Sequence, residues 1–382
     1  MDARDRGHNP LDRDAPTVGM SESVEDHDSE AAFGEWPLKR LMTEVVGSGH
    51  KSADDMTRSQ AREAFARTLA GEPDPTTLGA FWLANRWKRN TPEELAAFVD
   101  VMVESSVERA VPGADPVDCG ANYDGKSRSA LLGVAAGLTA AAAGTPVVAH
   151  SGDRVPTQKQ DAYRHVLEAL GVGTDLAPEA SAAMVDEAGF GFYYQPRFNP
   201  GVAGLEDRRD RMGVRTFVNT IETLANPAGA DVHLGSFYHL PYAKRLIETL
   251  RTGEHGGVDR VLMFQGMEGY DDVRPGATVV AEWSTGGEID DFEIATADYG
   301  MAVESEDLAV EDVAEESAAI TEAVLTGERE GPFADAVALN AALRIYARED
   351  CEDLDEGLAM ARGAIDAGEA ADRLAALRQF QP

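Results

Sequence analysis

Cysteine is almost absent. Cys119 and Cys351 are the whole complement of a 382-residue chain. Two thiols so far apart argue against a disulfide framework or a thiolate metal cage. Lysine is also scarce, confined to Lys39, Lys51, Lys88, Lys126, Lys159 and Lys244. With 34 basic against 68 acidic residues, the formal net charge is −34. Such a balance disfavours broad capture of nucleic acid, which needs a positive footprint, although a local basic groove stays open. No apolar run reaches the length of a membrane span, and the alanine-rich stretch Leu131 to Ala143 is too short. Met1 to Glu35 is polar and lacks the apolar segment of a secretory signal. The expectation is a soluble cytoplasmic protein with no membrane partner.

What is present is a hydrophobic content of 43%, enough to exclude global disorder. A chain of this length buries a substantial core in one large domain or two smaller ones. Its acids are spread rather than clustered. A solvated acidic surface with little lysine suits molar salt, where the Debye length is about 3 Å and self-repulsion is screened. Residues 1–34 lack periodicity and read as a disordered acidic tail.

Local signals then divide the chain. Met56-Thr57-Arg58-Ser59-Gln60 reads as a capped start to a helix running to Ala70, and Pro75 to Lys88 repeats the theme. Thr91-Pro92-Glu93-Glu94 starts a third helix, to about Ser105, with Pro at its first position and acids in its first turn. Residues 35–108 therefore read as an all-helical unit, with part of 200–228 packing on it. Short β-prone runs follow at Pro116 to Cys119, Thr145 to Ala149, Gly189 to Tyr194, Asp231 to Tyr238 and Asp259 to Gln265. Amphipathic stretches such as Asp161 to Leu170 and Tyr242 to Leu250 lie between them, a pattern that predicts an α/β domain over 109–382 with a mostly parallel central sheet. Ala277 to Ile294 reads as a hairpin around Gly286-Gly287, and the chain from Val310 onward as helix.

Two polar loops carry the chemistry. The first is Asp118-Cys119-Gly120-Ala121-Asn122-Tyr123-Asp124-Gly125-Lys126-Ser127-Arg128-Ser129; the second is His150-Ser151-Gly152-Asp153-Arg154. Loops at the carboxyl ends of neighbouring parallel strands share one crevice. Gly, Lys, Ser and Arg there suggest an anionic ligand, a phosphate above all.

Several segments resemble, in order, the anthranilate phosphoribosyltransferase family (glycosyltransferase family 3). They are Met56 to Phe65, Gly79 to Glu94, Val166 to Gly171, Met212 to Asn219 with Asn226-Pro227-Ala228, and Gly269-Tyr270-Asp271-Asp272. The resemblance implies a small helical domain, a larger α/β domain, a cleft between them and a homodimer through the helical domains. It implies transfer of phosphoribosyl from phosphoribosyl pyrophosphate to anthranilate or a related aromatic amine, with Mg²⁺ as cofactor.

Carried over by position, Gly120, Tyr123, Asp124, Gly125, Lys126, Ser127 and Ser129 of the first loop and His150, Gly152 and Arg154 of the second become phosphate and ribose contacts. Arg209 becomes the contact for the acceptor's carboxylate, through its bidentate fork. Asp271, Asp272 and Ser129 become the metal site. The chain departs from the family where Gly-Thr-Gly-Gly-Asp becomes Gly120-Ala121-Asn122-Tyr123-Asp124, where Lys-His-Gly-Asn-Arg becomes His150-Ser151-Gly152-Asp153-Arg154, and where His-Pro becomes Asn199-Pro200. The run Gly125-Lys126-Ser127-Arg128 resembles the anthranilate phosphoribosyltransferase-like branch, whose members lack the glycine-rich signature. These losses keep two other readings open: a non-catalytic paralogue that binds nucleic acid, and a nucleoside phosphorylase-like reaction.

Overall fold

The computed structural model describes residues 33–382 except 48, 50 and 256. The expected tail therefore lies, up to residue 32, outside the described residues. Two short turns, Leu38–Leu41 and Met42–Val46, lead into helices Arg58–Leu69, Pro75–Lys88 and Pro92–Ser105. Each of the three starts on a local cap. Gln60 Oε1 accepts from the Thr57 N–H at 2.9 Å while the Thr57 hydroxyl accepts from Gln60 N–H, a reciprocal box. Asp74 accepts from the Thr76 and Thr77 N–H groups ahead of Pro75. Thr91 and Glu94 form a second box. The buried Glu94 carboxylate also takes Lys88 Nζ at 2.6 Å, so one cap ties two helices together. Phe217, from far along the chain, stacks on Phe98 at 4.2 Å and meets Phe65 and Phe81 edge-on.

The strands are β1 Val117–Gly120, β2 Val147–Ser151, β3 Phe190–Tyr194, β4 Val232–Phe237, β5 Arg260–Gln265, β6 Ala277–Ser284 and β7 Asp290–Ala295. They form one sheet in the order β3-β2-β1-β4-β5-β6-β7. Pairing is parallel from β3 to β5 and antiparallel for β6 and β7, the predicted hairpin. Period-two alternation assigns the two faces. Val117, Cys119, Val147, Ala149, Leu234 and Leu262 enter a core with helix Gly133–Ala142 and the C-terminal helices Val313–Leu325, Pro332–Ala347, Leu354–Asp366 and Glu369–Gln379. Val148, Val261 and Met263 face the other way, into a core shared with the opening helices. Helix Pro178–Ala188, which leads into β3, was not anticipated; its inward positions mix Pro178, Ser181, Ala182, Met184, Val185 and Ala188, so few large apolar residues mark the buried face. Among the described residues no helix is long and apolar enough to cross a membrane.

The chain runs β1, β2, β3 outward on one side, then returns to place β4 on the other flank of β1. The boundary between β1 and β4 is thus the switch point, the place at which open α/β sheets bind their ligands.

Candidate active site

The loop after β1 folds inward rather than standing open. Tyr123 is buried, with its hydroxyl hydrogen-bonded to His150 Nδ1. His150 Nε2 lies 3.2 Å from Asp118 Oδ1, and His233 Nδ1 lies 2.8 Å from Asp118 Oδ2. A Tyr–His–Asp–His chain therefore crosses β2, β1 and β4 on one face. Burial alone would raise the Asp118 carboxyl. The facing imidazoles outweigh it and hold the group well below the usual carboxylate range. The two glycines here are matched to protein, not to open space. A Cβ on Gly120 would collide with the Thr223 carbonyl, and Gly125 sits at φ +79° with its missing Cβ against the Asp161 carbonyl.

Beyond this floor, Lys126 and the acidic pair interlock. Lys126 Nζ donates to Asp272 Oδ2 at 2.6 Å and to the Ala130 carbonyl at 2.7 Å, fully buried. Asp271 takes Arg344 at 2.8 Å and the Tyr163 hydroxyl. Burial pushes the Asp271 carboxyl up to about 6, against the pull of Arg344 and with the push of Asp272. The remaining oxygens, Asp271 Oδ1 and Asp272 Oδ1, are buried and make no hydrogen bond. Two such oxygens on adjacent residues are the hard donors Mg²⁺ takes, so these residues fit the ion. Ser129, expected beside the metal, donates its hydroxyl to Glu268 Oε1 at 2.6 Å instead. The Ser127 N–H and Arg128 Nε approach Glu268 Oε2, each at 3.4 Å.

The other expected contacts divide in the same way. Asp124 faces Arg215 at 2.6 Å; burial raises its carboxyl while Arg215 pulls it back. His150 is a wall of the buried chain, not an open cation. A Cβ on Gly152 would press on Val155. Arg154, half exposed, reaches Asp161 at 2.5 Å. Arg209 is buried and bidentate to Glu222, at 2.8 and 2.7 Å. Its neighbours Glu206, Asp207 and Asp210 are not its partners in this pairing. Asp118 stood in the sequence only as the first residue of a loop, and nothing there singled out Tyr163, Glu222, His233, Glu268 or Arg344. The loops thus bring most of the predicted residues together, but close nearly every cation with an internal carboxylate.

A capped helical bundle beside a mostly parallel sheet, with charged loops at its switch point, is a two-part α/β architecture. Residues 44–106 match the helical bundle domain of a glycosyl transferase family, and residues 124–371 match its α/β domain. The chain belongs to this glycosyl transferase family. It is 33% identical to anthranilate phosphoribosyltransferase of Methanocorpusculum labreanum, over 85% of the chain and 93% of the relative. It is 32% identical to that of Natronomonas pharaonis, over 86% and 97%. The crystal structure of the Thermus thermophilus anthranilate phosphoribosyltransferase superposes with a TM-score of 0.74 at 30% identity, covering 86% of this chain and 96% of that one. The Saccharomyces cerevisiae enzyme in complex with phosphoribosyl pyrophosphate and Mg shares the fold, with a TM-score of 0.72 at 18% identity, over 84% and 92%.

Proposed function

We propose that this chain is a phosphoribosyltransferase that moves phosphoribosyl from phosphoribosyl pyrophosphate to anthranilate or a related aromatic amine. The observation that carries the reading is one juxtaposition at the switch point. The donors Ser127 N–H, Arg128 and Ser129 Oγ gather on one carboxylate, beside a buried acidic pair with two unpartnered oxygens. Relatives at 30–33% identity across most of the chain carry that activity in their names. Mg²⁺ held by the Asp271 and Asp272 oxygens would neutralise charge on the departing pyrophosphate. The chain's own part is positioning and electrostatic stabilisation. Ser127, Arg128 and Ser129 offer donors to phosphate oxygens, Gly125 turns the loop toward them, and Tyr123 seals the strand ends from water.

Isothermal titration of the full chain with phosphoribosyl pyrophosphate and Mg²⁺ in molar KCl is expected to show saturable binding, and anthranilate fluorescence to fall as product forms. No heat at millimolar ligand overturns the reading. Of the cations behind the nucleic-acid reading, Lys126 and Arg209 are buried against internal carboxylates, while Arg128 and Arg211 stay exposed.

We also propose that the chain works as a homodimer in a salt-loaded cytoplasm; its scarce lysine and spread acids support the salt reading. At a net charge of −34, raising KCl from 0.1 M to 1 M shortens the Debye length from about 10 Å to about 3 Å. The thermal midpoint is expected to rise across that range. A midpoint that stays level or falls removes the salt reading.

A further inference from the structure

Glu268 stands out among the loop carboxylates by what it touches and how it is held. It lies in the turn after β5 at φ +55°, a left-handed conformation uncommon for a glutamate. The Tyr238 hydroxyl donates to its backbone carbonyl, and the Tyr238 ring packs where Gly269, at φ +77°, has no Cβ. This brace aims a side chain only 9% exposed back across to the β1 loop. There its two oxygens accept from one backbone N–H, one hydroxyl and one guanidinium. A set of N–H, O–H and guanidinium donors converging on one planar anion is the set that holds a phosphate.

We propose that Glu268 is an internal counter-anion that occupies the phosphate donors of the β1 loop and sets the affinity threshold for the substrate's phosphates. The inference rests on the phosphoribosyltransferase reading, since it takes Ser127, Arg128 and Ser129 as phosphate donors. A tethered carboxylate competes at high effective concentration, so an incoming anion displaces it only by forming stronger or more numerous bonds. A phosphate oxygen cluster carrying two or more charges meets that condition; a chloride or acetate does not. Glu268 is in this sense a positioning and selectivity residue, since it acts on the ligand through the donors it holds.

Glu268→Gln keeps the shape and the contact with Ser129 but removes the charge. Titrated with inorganic pyrophosphate in molar KCl, with and without Mg²⁺, the full-length variant is expected to bind roughly ten-fold tighter than the parent, or about 1.4 kcal/mol. Inorganic phosphate is expected to register on the variant and not on the parent. Glu268→Ala gives a second variant with the same expected direction, and circular dichroism reports whether either has kept its fold. Adding Ser129→Ala to Glu268→Gln is expected to remove the gain. Equal pyrophosphate affinity in parent and Glu268 variants overturns this inference and leaves the proposed function standing. Absence of pyrophosphate binding in all of them overturns both. A gain that survives Ser129→Ala shows that Glu268 acts by bulk charge, and also overturns the assignment.

Discussion

Arg209→Met is expected to destabilise the chain by about 3–5 kcal/mol, the cost of leaving one member of a buried ion pair unpaired. Arg209 and Glu222 are 1% and 0% exposed, and Glu222 also receives the Gln195 amide at 3.0 Å. With the guanidinium gone, the Glu222 carboxylate keeps one neutral donor in a site closed to water. Equilibrium unfolding in guanidinium chloride measures the loss as a shift in midpoint at unchanged slope. The double variant with Glu222→Gln is expected to recover part of it, because the stranded charge is removed with its partner. A variant as stable as the parent but unable to bind anthranilate would return Arg209 to the acceptor role that the resemblance implies.

That contrast shows what kind of information the sequence carried. Helix Pro75–Lys88 was legible to the residue because Asp74 and Pro75 act on their immediate neighbours, and cap chemistry is local. The strands were legible because β-branched and aromatic runs alternate with amphipathic ones. The site was legible only as a set of loops. Lys126 and Asp272 are 146 residues apart, and Arg344 and Asp271 are 73 apart. With 68 acidic residues to choose from, no spacing rule picks those partners. Tyr123 makes the same point. Its bulk was visible, and the resemblance makes it a phosphate and ribose contact. The ring turned inward because His150, on the next strand, offers its hydroxyl a buried partner. Glycine, too, was read as room for a ligand. At Gly120 and Gly125 the room is taken by the carbonyls of Thr223 and Asp161.

The second large effect falls on Lys126. It is one of two buried cations holding two adjacent buried carboxylates, Asp272 by Lys126 and Asp271 by Arg344. Lys126→Met leaves the Asp271–Asp272 pair one positive charge short, at an expected cost of about 3–5 kcal/mol near neutral pH. The pH dependence has a definite sign. Asp271 already sits at about 6 in the folded chain, against 3.8 for the free side chain, and Lys126 is one of the groups pulling it down. Losing that pull raises it further. A carboxyl raised by folding contributes stability that is fully present below about 4 and is lost as pH rises through its folded value. The deficit of Lys126→Met relative to the parent is therefore expected to be largest at pH 7 to 8 and to shrink by pH 5. Taking the difference between the two proteins cancels the titration of the many surface acids. Mg²⁺ is expected to narrow the same deficit at pH 7.5, since a divalent cation supplies the charge the lysine removed, to oxygens with no other partner. Unfolding curves at pH 5 and 7.5, with and without Mg²⁺, test both statements. A deficit that grows on acidification would mean that the lysine, not the carboxylate pair, governs the stability of this cluster.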